Sequence, residues 1–309
     1  MALQLLEDFL SDKVANYQKG MSSPLTAYDT CSRLSAHITW GTISLSEIYH
    51  RLNRWKHQLS LKPKEESRYH WRGLKSFESR LWWHCHFMQK LEDEPAIEFQ
   101  NMNPAFDGLR ESEFNTPYFE AWKKGETGYP LVDACMRSLQ KTGWLNFRMR
   151  AMLISFASYQ LWLHWKKTSQ HLAQLFVDFE PGIHYSQVQM QSGVTGINAI
   201  RIYSPIKQSL DQDPEGLFIK EHCPELEGLD AQAIHWPHEM PPLLQQMTCP
   251  GLKENFPQPI VDPKISYQSA KERIYSYRQR PEVKEMAKHV YKKHGSRKNQ
   301  FFPNQNRLP

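Results

Sequence analysis

The run from Ala151 to Trp165 (AMLISFASYQLWLHW) constrains this chain more than any other stretch, because it is apolar on nearly every side. It is too short to cross a bilayer, and it is bounded by Arg148, Arg150, Lys166 and Lys167. A helix without a polar face has to be covered all round, so the run predicts the buried central helix of a globular domain, launched from about Asn146. Before it, Leu131, Val132, Cys135, Met136 and Leu139 repeat at helical spacing, and Gly143 is placed to stop that earlier helix. Arg148 and Arg150 fall at the positive end of the central helix, where two guanidiniums need something acidic opposite. Asp178 and Glu180 are the nearest carboxylates in apolar surroundings. Such a pair either ties two segments together or marks a functional site, and spacing alone leaves both open.

The rest of the chain has the material to cover that helix. Hydrophobic residues make up 40% of 309, with ten Trp and fifteen Phe to fill a core, while low glycine and the lack of sustained apolar–polar alternation predict an all-α fold. The N-terminus, MALQLLEDFLSDK, lacks a signal-peptide pattern and no apolar run reaches membrane-spanning length, so the expectation is a soluble, cytoplasmic protein without membrane contact. Cys31, Cys85, Cys135, Cys223 and Cys249 form no CxxC, which argues against zinc, another metal, disulfides or an iron–sulfur cluster. Residues 278–309 hold nine Lys/Arg against two Glu, a net of +7 in a chain of net +5, so the preceding residues carry −2. That basic extension is expected either to contact polyanions or to be a solvated terminus.

Helical spacing of Leu3, Leu6, Leu10 and Val14 predicts an N-terminal helix, and Ser44-Leu45-Ser46-Glu47 reads as a capping box. Between them Thr30 to Ser35 form a helix entrance whose free N–H groups and hydroxyls, with Arg33 inside, suit an anion, although capping alone explains the hydroxyls.

Several blocks in register, TGYPLVDACMRSL, TGWLNFRMR, LFVDFEPG and RIYSPIKQSLDQDPEGLFIKEHCPEL, resemble the flavin-binding domain of the cryptochrome/photolyase family. The likeness runs from about Leu6 to Tyr277. It implies a helical domain over 1–277 binding one noncovalent flavin adenine dinucleotide (FAD), with 278–309 as an extension. The α/β antenna domain that precedes this segment in most members is not expected here, nor is an antenna pigment.

In that family light excites reduced flavin, an electron passes to a cyclobutane pyrimidine dimer, the ring opens and the electron returns. The resemblance therefore implies a photolyase acting on DNA with UV lesions, single strands favoured because the body is not basic, with a non-repairing cryptochrome-like photoreceptor as the rival. By the same likeness Cys31, Ser32, Arg33, Leu34 and Ser35 fall on the phosphate-holding segment, with Cys31 in place of threonine, and Tyr17 lies near the family's upstream tyrosine. Phe77 and Arg80 line the flavin, and Trp83 matches the tryptophan on which an extruded pyrimidine stacks. Arg80 stands where well-known enzymes carry a lesion-binding glutamate, and His84 where they carry arginine. Arg150 and Asp178 match the ion pair at the isoalloxazine, Glu180 the second acid, and Asn146 a lesion-contacting asparagine shifted by one residue. By the likeness His184 falls beside flavin N5, where a histidine titrating near neutrality would gate flavin protonation; a hydrogen-bonded structural histidine is the alternative. By the likeness Arg148 and Met190 face DNA, Trp165 matches the middle member of the photoreducing tryptophan chain, and Val188 replaces the proximal one, so that either Tyr185, Tyr159 or Trp162 substitutes or photoreduction is slow.

Overall fold

A computed structural model describes residues 1–295. Among them every regular element is helical. The N-terminal stripe forms α1 (Ala2–Asp8), which passes through a π-helical turn (Phe9–Lys13) into α2 (Val14–Gly20); α3 (Pro24–Thr30), α4 (Ser35–Thr39), α5 (Leu45–Ser60) and the long α6 (Lys64–Asp93) follow. The middle holds α7 (Thr116–Lys124), α8 (Pro130–Thr142), α9 (Phe147–Ser155), α10 (Trp165–Leu175) and α11 (Pro181–Ser192). The chain closes with α12 (Pro205–Gln212), α13 (Leu217–His222), α14 (Pro242–Thr248), α15 (Leu252–Asn255), α16 (Pro263–Gln279) and α17 (Pro281–His294).

Local chemistry sets several of these boundaries. Ser44 caps α5 by accepting the Glu47 N–H at 3.1 Å, as its capping box predicts. Gly143 ends α8 at φ +68°, a left-handed conformation open to glycine, with its N–H on the Leu139 carbonyl. The expected continuous helix from Ala151 to Trp165 is corrected. α9 ends at Ser155, a π-helical turn (Phe156–Gln160) follows, Trp162 adopts φ +52°, and the His164 side chain caps a new helix by accepting the Lys166 N–H. The burial expectation still holds, since Ala151 to Leu163 and Trp165 are all buried. A run that is apolar all round has no face, so its periodicity carries no sign of the break.

Two hydrophobic clusters result. A smaller one joins α1, α2, α5 and α6 through Phe9, Tyr17, Leu52, Leu74 and Phe77; the larger surrounds α8, α9 and α11. α11 packs on both α6 and α9, which brings the three sequence blocks of interest to one place. The expected boundary after Tyr277 falls inside α16, and α17 packs Val283 and Val290 into the large cluster, so residues 278–294 lie against the body; the remainder of the basic extension, from 296, is outside the described residues.

Candidate functional site

Arg150 projects from α9 toward the segment that leads into α11. Its Nη2 donates to Asp178 Oδ2 at 2.8 Å, its Nε to the Leu145 carbonyl at 2.6 Å, and its guanidinium lies 4.0 Å from the Phe176 ring centroid. The segment is held in place by the Val177 N–H on the Gly143 carbonyl. Asp178 is 3% exposed at its side chain. Burial alone would raise its pKa, but the Arg150 charge and hydrogen bond, aided by the Ser35 hydroxyl, hold it below the usual aspartate value. Glu180 forms no ion pair among the described residues, and burial pushes its carboxyl upward.

His184, one turn into α11, donates Nε2–H to the Ser169 carbonyl at 2.9 Å and packs against Phe176, Phe179 and Tyr185. Burial pulls its pKa to about 4. The expectation of titration near neutrality is therefore corrected: a desolvated imidazole already committed to a carbonyl stays neutral there.

Residues 31–34 form the loop between α3 and α4, with Leu34 buried and Ser32 Oγ accepting the Leu34 N–H at 3.5 Å. Burial pushes the Cys31 thiol up to about 11. Arg33 takes φ +58° and its guanidinium is stacked between Tyr28 and Trp144, 3.9 and 4.0 Å from the ring centroids. Tyr17, pushed up to about 12 chiefly by burial, packs on Phe9 and Phe77, with the Arg80 charge nearby. Asn146 turns toward the N-terminal loop, giving Nδ2–H bonds to the carbonyls of Met21 (3.1 Å) and Ser22 (2.7 Å).

The buried polar atoms without a protein partner, which are spread through the fold, include here Arg33 Nη1, both ring nitrogens of His84, Asn146 Oδ1 and Asp178 Oδ1. Unsatisfied buried donors and acceptors are costly, and a ligand presenting an anion together with both donors and acceptors would satisfy them. The residues present thus fit a dinucleotide cofactor. On the outer side of α6, Trp83 is 45% exposed and stacks on Phe87, while Trp82 points away toward Tyr49, as their adjacency on a helix predicts. Met190 is half-buried on α11, and Trp165 is fully buried with Nε1–H on Asn101 Oδ1.

Arg148 leaves this group. With Arg201, Tyr203, Ser204, Lys207 and Tyr267 it lines a cleft of about 490 Å³. Sequence reading passed over Arg201, Lys207 and Tyr267, whose polar character in a loop and on helix ends is ordinary until the fold brings them together. It likewise passed over the stacking of Arg33 on nearby Tyr28 and on Trp144, the second of which crosses more than a hundred positions of chain.

Comparison with known proteins agrees with the helical fold. The model of the FAD binding domain of DNA photolyase matches residues 77–276. A deoxyribodipyrimidine photo-lyase of Streptomyces griseus is 32% identical over 260 residues, covering 84% of this chain and 52% of its own; a cryptochrome DASH of Gloeobacter violaceus is 33% identical over 159 residues, covering 51% and 32%. The crystal structure of a bacterial class III photolyase from Agrobacterium tumefaciens superposes with a TM-score of 0.79 at 28% identity, over 90% of this chain and 56% of that one. A helical fold of this kind defines the class of FAD-binding domains. The chain belongs to the photolyase/cryptochrome family, within which it matches the helical FAD-binding domain. It spans about half the length of curated relatives such as these photo-lyases.

Proposed function

We propose that this chain binds one FAD noncovalently and uses it, under blue light, to split cyclobutane pyrimidine dimers in DNA, with single strands preferred. The observation that carries the reading is the match of residues 77–276 to an FAD binding domain, with the buried Arg150–Asp178 pair inside the matched segment. Bound there and reduced, FAD supplies light absorption and the transferred electron.

The protein's own residues bind, orient and screen. Arg150, fixed by Asp178, places a permanent positive charge in a site of low dielectric, which favours an anionic ring system. Neutral His184, its Nε2–H spent on Ser169, presents Nδ1 as an acceptor. The Cys31–Ser35 loop offers backbone N–H groups and two hydroxyls to phosphates, and Phe77 with Tyr17 closes the apolar wall. Exposed Trp83 offers a stacking face for an extruded base, Met190 an apolar neighbour on α11, and Arg148 with Arg201 and Lys207 a basic cleft for strand phosphates. Trp165, buried and hydrogen-bonded, serves as a redox relay; Tyr159 and Trp162 lie beside the Arg110 guanidinium, which disfavours an electron hole on either, so Tyr185 is the better substitute at the Val188 gap.

A photoreceptor role without repair is the second reading. It is favoured by Arg80, a cation close to Tyr17 where the family likeness places a lesion-binding acid. Trp83→Ala separates the two. The repair reading expects about tenfold weaker binding of a dimer-containing oligothymidine in that variant, from the 1–3 kcal/mol of a stacked base, with intact oligothymidine little affected. Equal binding of both oligonucleotides by wild type and variant would favour the receptor.

A further inference from the structure

Beyond the cleft of Arg148, Arg201 and Lys207 lies a second cavity, of about 530 Å³, within the range of roughly 300–1,000 Å³ that small-molecule sites occupy. Ser204 and Tyr267 line both, so the two are neighbours along one groove. Their chemistry differs. The first carries three cations suited to phosphates; the second has one, Lys264, and is otherwise walled by tyrosine and proline rings and by the amides of Gln160 and Gln268. Nor is the second cavity a phosphate site by way of the helix that opens on it. Asp262 Oδ1 already accepts the N–H groups of Lys264 (2.9 Å) and Ile265 (2.8 Å) at the start of α16, and its charge repels a further anion.

Two features of this cavity suit a nucleobase. Tyr267 is 38% exposed and its ring has no aromatic partner among the described residues, whereas Tyr129 on the opposite wall is packed against Phe156 and Trp236. A free tyrosine face at a cavity is a stacking platform. Gln160 ends the π-helical turn after α9, on which α16 packs, and is 7% exposed. Its Nε2–H goes to the Tyr203 carbonyl at 2.6 Å, which can only accept and so fixes the amide's orientation, and Oε1 is left without a partner. Gln208 in the first cleft, 9% exposed, likewise keeps an unpartnered Oε1. An amide oxygen asks for an N–H donor, which a phosphate lacks and the amino or imino edge of a base supplies.

We propose that the second cavity takes an undamaged base of a bound single strand, stacked on Tyr267 with its N–H edge toward Gln160, while the adjoining phosphates lie in the Arg148 cleft. This rests on the DNA reading above and adds to it a base site apart from Trp83.

The test uses the full chain loaded with FAD, in darkness, with two strands of equal length: undamaged oligothymidine and an abasic deoxyribose-phosphate strand. Substitution at so exposed a position costs little stability, so Tyr267→Ala is a usable variant. It should bind oligothymidine about tenfold more weakly than wild type, the loss expected of one stacked base, and the abasic strand equally well. Tyr267→Phe, which keeps the ring, should bind both as wild type does. An equal loss on both strands in Tyr267→Ala, or no loss on oligothymidine, would overturn the proposal. Thymidine 5′-monophosphate binding as tightly as oligothymidine would assign the cavity to a free nucleotide and overturn the strand reading. Neither strand carries a dimer, so a protein that neither prefers nor repairs dimers would still give the Tyr267 result if the base site exists, and the two failures stay distinct.

Discussion

Arg150 carries three contacts at once, to Asp178, to the Leu145 carbonyl and to the Phe176 ring, so its loss strands a buried carboxylate. Arg150→Met should lower unfolding free energy by about 3–5 kcal/mol in urea titrations and release flavin on gel filtration. The pH dependence follows from two neighbours with the same sign. His184 has a folded pKa of about 4 against 6.5 unfolded, so the unfolded chain binds the extra proton and stability is lost as pH falls from about 6.5 toward 4. Asp178, depressed below 3.8, contributes stability above that value and loses it on further acidification. His184→Asn should flatten the first of these slopes in melts taken between pH 4 and 7, and an unchanged slope would remove His184 as its source. The need for an acid opposite the two arginines was legible from sequence, but spacing left Asp178 and Glu180 both open, and it was the family likeness that singled out Arg150 with Asp178, the pair the structure forms. The state of His184 was not legible, since burial depth and the Ser169 carbonyl are properties of packing.

At the scale of elements, helices whose polar and apolar sides differ were readable, as α1, α5 and α8 illustrate. The break between α9 and α10 was hidden inside uniform hydrophobicity, where one capping histidine outweighs the pattern. α11 and α6 approach so closely that a Cβ on Gly182 would sit 2.9 Å from the Phe87 carbonyl oxygen and 3.0 Å from Met88 Sδ. In an open helix Gly→Ala gains roughly 0.5–1 kcal/mol. Here Gly182→Ala should instead cost about 1–3 kcal/mol and loosen flavin, because backbone must move to admit the methyl group. Differential melting decides the sign, and a stabilised variant would mean that the two helices have slack.

Across the whole molecule, charge and topology divide the work. The body before residue 278 has a net charge of −2, yet Arg148, Arg201 and Lys207 share one cleft, so local placement matters more than net charge for a polyanion. Arg148→Ala and Lys207→Ala should each weaken binding to every single-stranded sequence and lower the salt slope by about 1. α17 is joined to the end of α6 through Glu94, which pairs with Lys293 and His294, so the start of the basic extension belongs to the folded body. Composition identified those charges, but only the fold shows which of them are engaged. The most direct measurement combines all three scales: FAD-loaded, chemically reduced protein mixed with dimer-containing oligothymidine, with absorbance near 260 nm followed in blue light and in darkness. Growth of that absorbance in light alone, as thymines are restored, is the expected result. A flavin-loaded protein that binds the oligonucleotide yet leaves the absorbance unchanged in light would contradict the repair function.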